Sequence, residues 1–161
     1  MKTACLSLAI LLSMLTGVRC SGSRPGQMPQ QGLQGDALLL KELTNEERGK
    51  HTRSPLRGNG TLDEIARYHS LDMAEREYVS DINPGGETLT DRARKFGYVY
   101  TAIAENLAVG NMTITDVFQG WMSSTEYRAN ILSETFSEIG IGIYVGKDGQ
   151  TYYTVVFAQP L

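Results

Sequence analysis

Glu105 is the side chain in this 161-residue sequence that most invites a chemical reading, because it interrupts the otherwise apolar run Ile103-Ala104-Glu105-Asn106-Leu107-Ala108. A carboxylate in such a setting is either a structural acceptor of hydrogen bonds or a site residue, since an unpaired buried charge is expensive. The sequence holds two histidines, His51 and His69. His69 falls on the inner face of an expected helix with Leu62, Ile65, Ala66 and Met73, so it is read first as a core histidine bonded to backbone and second as a ligand or base. The common catalytic signatures are missing: there is no Gly-x-Ser-x-Gly, no phosphate loop and no pair of histidines at metal-binding spacing. A closed zinc site wants more nitrogen or sulfur ligands than are available.

The elements that would position Glu105 can be read on both sides of it. Downstream, Thr113-Ile114-Thr115-Asp116 is a capping-box pattern, in which hydroxyl and carboxylate three residues apart each bind the other's free backbone N–H. It opens a helix whose Ile114, Val117, Phe118 and Trp121 share one face, so the single tryptophan is expected in the core. Ser124 then caps a short turn with Tyr127, Ile131 and Leu132 on one side. Upstream, Leu39, Leu40 and Leu43 repeat at helical spacing after Asp36 and predict a helix over 37–50. A second helix is expected from the capping pattern Thr61-Leu62-Asp63-Glu64, a loop over Asp81-Ile82-Asn83-Pro84-Gly85-Gly86, and a short helix over Thr88–Phe96 ended by Gly97. Near the end the period changes. Ile139, Ile141, Ile143 and Val145 alternate with Gly140, Gly142 and Tyr144, a turn follows at 147–150, and Tyr153, Val155 and Phe157 alternate in the return strand. Two glycines on one strand face predict that something packs very close to it.

The amino-terminal part reads differently. Lys2, an apolar stretch at Leu6–Leu15 and small or polar residues up to Cys20 make residues 1–20 a secretory signal, too short in its apolar part for a comfortable membrane span. Cys20 is read either as the acylated first residue of a lipoprotein or as the end of an ordinary leader. Both cysteines, Cys5 and Cys20, belong to this segment, so the folded part is expected to have no disulfide. Residues 21–35 are poor in apolar side chains and read as a flexible linker, with the domain over 36–161. Losing Lys2 and Arg19 takes two of 15 basic residues against 18 acidic ones, moving the net charge from -3 to -5. That balance lacks the basic footprint of a nucleic-acid binder. Asn59-Gly60-Thr61 and Asn111-Met112-Thr113 match the glycosylation acceptor pattern and also read as turn plus helix cap.

The motifs taken in order resemble the bacterial branch of the CAP superfamily, the SCP-like extracellular domains related to cysteine-rich secretory proteins, antigen 5 and the plant pathogenesis-related class 1 proteins. The resemblance is carried by His69-Ser70-Leu71-Asp72-Met73-Ala74, Tyr78-Val79-Ser80-Asp81, Asn83-Pro84-Gly85-Gly86, Asp91-Arg92 and Gly97-Tyr98. It continues through Ala104-Glu105-Asn106-Leu107, Trp121-Met122-Ser123-Ser124, Arg128-Ala129-Asn130-Ile131-Leu132 and Phe136-Ser137-Glu138-Ile139-Gly140-Ile141-Gly142. It implies an α+β fold, a three-layer α-β-α sandwich with a central antiparallel sheet and a groove across it. In that family the groove is lined by two histidines and acidic residues that can hold a divalent metal. Here Glu105 stands for the groove acid, whereas Asp81 and Tyr127 stand where bacterial members carry the histidines. Asp81 and Glu105 alone would make a weak oxygen site for a hard cation, so no metal and no cofactor are expected. Tyr127 is expected to close the groove and to donate its hydroxyl to Glu105, with Arg128 and Asn130 in structural roles.

The leading expectation is a secreted or surface-tethered, non-catalytic module with Asp81, Glu105, Tyr127 and His69 around a ligand groove. Its partner would be a small apolar ligand, a cell-envelope component or a protein. Membrane contact would come only through a lipid anchor at Cys20, and a monomer is expected. The alternatives are a hydrolase with Glu105 as general base, or a structural envelope protein with a vestigial groove.

Overall fold

The computed structural model describes residues 30–161. The leader expected over 1–20, the anchor at Cys20 and residues 21–29 of the expected linker lie outside the described residues. In chain order the elements are α1 (Gln30–Lys50), β1 (Arg57–Gly58), α2 (Gly60–Arg76), α3 (Leu89–Lys95), β2 (Tyr100–Val109), α4 (Ile114–Ser123), α5 (Thr125–Leu132), β3 (Glu138–Val145) and β4 (Thr151–Pro160). The four strands form one sheet in the order β1-β3-β4-β2. β2, β4 and β3 are antiparallel neighbours, while the two-residue β1 runs parallel to β3 and makes the sheet mixed.

Helices cover both faces, giving the α-β-α sandwich. On one face α1, α4 and α5 enclose a core of Leu40, Ile114, Val117, Phe118, Trp121 and Ile131 against Ile139, Ile141, Ile143, Tyr153, Val155 and Phe157. On the other, Leu62, Ile65 and Ala66 of α2 and Ala93 of α3 meet Val156 and Ala158. Alternation along β3 explains the division, since isoleucines point to the first face and Gly140 and Gly142 to the second. The glycines are there because α2 leaves no room. A Cβ on Gly140 would lie 2.1 Å from the Leu62 carbonyl carbon, and one on Gly142 would lie 2.2 Å from that of Ala66.

Helix α1 begins at Gln30, ahead of the Asp36 start expected from the sequence. Leu33 and Ala37 both pack against the first core, extending the apolar stripe of Leu40 by further turns. Its far end holds Arg48, whose buried guanidinium donates to the carbonyls of Ile131 and Ser133 at 2.8 Å each and so fastens the end of α5. The cap of α2 also differs from expectation. Asn59, rather than the expected Thr61–Glu64 box, caps the helix by accepting the N–H groups of Thr61 and Leu62, and Asp63 accepts the Ile141 N–H of β3 at 2.8 Å. The capping boxes at Thr88–Asp91 and Thr113–Asp116 are present, and Ser124 caps α5. Trp121 is buried, as its helical face predicts, and donates its indole N–H to the Leu107 carbonyl at 2.8 Å.

Candidate functional site

Strand β2, for which the sequence reading named no element, carries Glu105 and Asn106 to opposite faces. Asn106 points toward α5, donating to the Tyr127 carbonyl at 3.0 Å and accepting from Asn130 at 2.9 Å. Asn130 therefore has the tying role expected of it, whereas Arg128 meets the His51 ring at 3.1 Å. Glu105 points the other way, under α2 and α3, and is only 8% exposed.

The residue that governs this carboxylate is Arg92, which sequence reasoning treated only as part of a motif. Arg92 is fully buried, and its Nη2 donates to Glu105 Oε1 at 2.6 Å. The rest of the guanidinium fork donates to the carbonyl of Asp81 at 3.2 Å and to that of Glu87 at 3.4 Å. One side chain thus holds β2, α3 and the 81–87 loop together. A signal was available: Leu89, Arg92, Ala93 and Phe96 lie at helical spacing on the inner face of α3, and a basic residue in such a stripe needs a buried anion. The expected hydrogen bond from the Tyr127 hydroxyl to Glu105 is absent, although Glu105 Oε2 has no partner among the described residues. The Tyr127 ring packs beside the first core instead.

His69 is buried on α2, and its Nε2 lies 3.1 Å from the Ser80 carbonyl, which can only accept, so the proton sits on Nε2. This is the backbone-bonded histidine favoured by the sequence. The same nitrogen is 4.0 Å from Glu105 Oε2, which places His69 beside the carboxylate as well. Burial pushes the imidazole down to about 4, and Arg92 adds to that. Burial pushes Glu105 up to about 7 against the pull of Arg92, and Asp81 adds to the rise. At neutral pH the histidine is therefore neutral. Glu105 Oε2 and His69 Nδ1 have no hydrogen-bond partner among the described residues.

Above Glu105 opens a cleft of about 330 Å³, lined by Asp81, Ile82, Thr88, Leu89, Thr90, Ala104, Glu105, Glu126 and Asn130. Asp81 is an exposed rim residue, and α5 contributes Glu126 and Asn130 rather than the Tyr127 ring. The Tyr127 hydroxyl is raised by burial and by Asp81, Glu126 and Glu105, so all three carboxylates act on that one phenol. For a divalent metal the donors do not fit. Among the described residues no three His, Cys, Asp or Glu side chains are spaced to hold an ion, and His69 Nε2 is committed to Ser80.

This α-β-α sandwich is the fold of SCP-type domains. The chain belongs to the CAP cysteine-rich secretory protein family, whose model matches residues 41–157. Among curated proteins it is 39% identical over 101 residues to the uncharacterized protein YkwD of Bacillus subtilis, covering 63% of this chain and 39% of that one. An extracellular SCP-domain protein of Bacillus anthracis superposes with a TM-score of 0.74 at 27% identity, over 83% of this chain and 44% of that one. An outer surface protein of Borrelia burgdorferi shares the fold, with a TM-score of 0.74 at 20% identity, over 79% of this chain and 94% of that one.

Proposed function

We propose that this chain is a non-catalytic CAP module, working outside the cell or at its surface, that binds a ligand or partner through the cleft over Glu105. The observation that carries this reading is the state of that carboxylate. Glu105 lines the cleft, one of its oxygens is locked by Arg92, and the other is buried without a partner among the described residues, which makes the group a preformed acceptor. The relatives described as extracellular or outer surface proteins support the location. The polar lining argues against the apolar ligand expected from the sequence and for one that carries hydrogen-bond donors. Asp81, in a position where the resemblance implies a histidine, gives the rim a carboxylate acceptor instead of an imidazole.

A hydrolase reading draws on the closeness of His69 to Glu105 and on a carboxyl near neutrality. With Glu105 as base the nucleophile would be a water, and what the site lacks is a second group poised for proton transfer, because His69 commits its Nε2–H to the Ser80 carbonyl. The test is a small-fragment screen by amide NMR on the full chain, run beside ester, peptide and glycoside hydrolysis assays. Shifts gathered at Asp81, Ile82, Thr88 and Glu126 without turnover are expected. Turnover abolished by Glu105→Gln would overturn the proposal.

A further inference from the structure

We infer that the cleft takes a primary ammonium group carried on an unbranched aliphatic stem, as in a lysine side chain or a free diamine. This rests on the binding reading above and names the chemistry of the ligand. Three carboxylates, those of Asp81, Glu105 and Glu126, line the cleft, and among the described residues no basic side chain does. Arg92 lies behind Glu105 on its other oxygen and is fully buried, so it neutralises part of that charge without occupying the opening. The independent observation is that Glu105, a lining residue more than nine-tenths buried, keeps one oxygen without a donor among the described residues. A group that brings N–H donors and positive charge satisfies it and is drawn in by the rim acids.

The spacing selects ammonium over a metal ion. A divalent cation needs several oxygens converging at about 2.0–2.6 Å, and these acids do not converge so tightly. An ammonium directs three N–H bonds outward and accepts longer, looser partners, with one bond to Glu105 Oε2 and the others toward the rim. The remaining lining suits the stem: Ile82, Leu89 and Ala104 supply apolar contact.

Amide NMR titrations of the full chain with 1,5-diaminopentane, 1-pentanol and pentanoate test this. The diamine should produce saturable shifts at Asp81, Ile82, Thr88 and Glu126. The exposed-rim variant Asp81→Asn/Glu126→Gln, which leaves the buried pair intact, should weaken its affinity by about tenfold, and added salt should weaken it further. If the alcohol or the carboxylate shifts the same residues as strongly as the diamine, the ammonium assignment falls while the binding cleft stands. If none of the three does so, both fall. Nα-acetyl-lysine methylamide provides a further arm: binding tighter than the diamine assigns the ammonium to a protein partner, and weaker binding assigns it to a free amine.

Discussion

At the residue scale the molecule turns on a buried ion pair that is half satisfied. Arg92 has no exposure and spends its fork on one carboxylate oxygen and two loop carbonyls. Removing one partner of such a pair leaves the other uncompensated, so Arg92→Met should destabilise the fold by about 3–5 kcal/mol in urea unfolding. Arg92→Met/Glu105→Leu should cost less than the two single changes added together, and strict additivity would show that the pair is not coupled. Lysine cannot reproduce the fork, so Arg92→Lys should rescue little. The neighbouring titrations run in opposite senses. His69 has a folded value near 4, below its ordinary 6.5, so its contribution is complete above about 6.5 and is lost as pH falls through 4. Glu105 is raised from 4.5 to about 7, so its contribution is complete below about 4.5 and is lost as pH rises through 7. Between these limits the two slopes offset each other in the parent chain. In His69→Asn, stability should then fall as pH rises from about 5 to 7, and in Glu105→Gln it should rise over about 4 to 6.5, each by up to about 1.4 kcal/mol per pH unit. Profiles of urea midpoint against pH that both rise would overturn the Glu105 assignment, and profiles that both fall would overturn that of His69.

At the scale of elements, the position of α2 decides whether His69 reaches Glu105, and two glycines decide the position of α2. Gly142→Ala would place a methyl group 2.2 Å from the helix backbone, so the helix must move away from the sheet. The cost should reach or exceed the top of the usual overpacking range of about 1–3 kcal/mol. The His69 ring should move with the helix, which a shift in its NMR titration would report. This relation was legible in advance, because glycines alternating with isoleucines at 139–143 announce a close approach. The capping box at Thr113–Asp116 and the apolar face of α4 were equally plain. Strand β2 was not, since small and polar residues obscure its period and its alternation becomes visible only once two different helical layers claim Glu105 and Asn106. The role of Arg92 was hidden for a related reason, because a buried arginine is recognised by its partner and that partner lies 13 residues away on another element. Trp121 gives the clearest element-level test. Trp121→Ala should cost about 3–5 kcal/mol, whereas Trp121→Phe keeps most of the ring volume, loses the bond to Leu107, and should cost about 1–3 kcal/mol.

At the scale of the whole molecule, the family match covers most of the described residues, and the chain spans only 39% of the length of its curated relative from Bacillus subtilis. What it shares with such proteins is a frame. The frame has a property of its own that follows from the outer position of β2. A ten-residue strand at the margin of a sheet would ordinarily offer its outward carbonyls to any passing extended chain. Here the Leu107 carbonyl is taken by the Trp121 indole and the Glu105 carbonyl by the Asn130 amide at 3.4 Å. The tryptophan that reads as a core anchor thus also works as a stopper against polymerisation. An extended chain approaching that margin finds two of its outward acceptors already occupied.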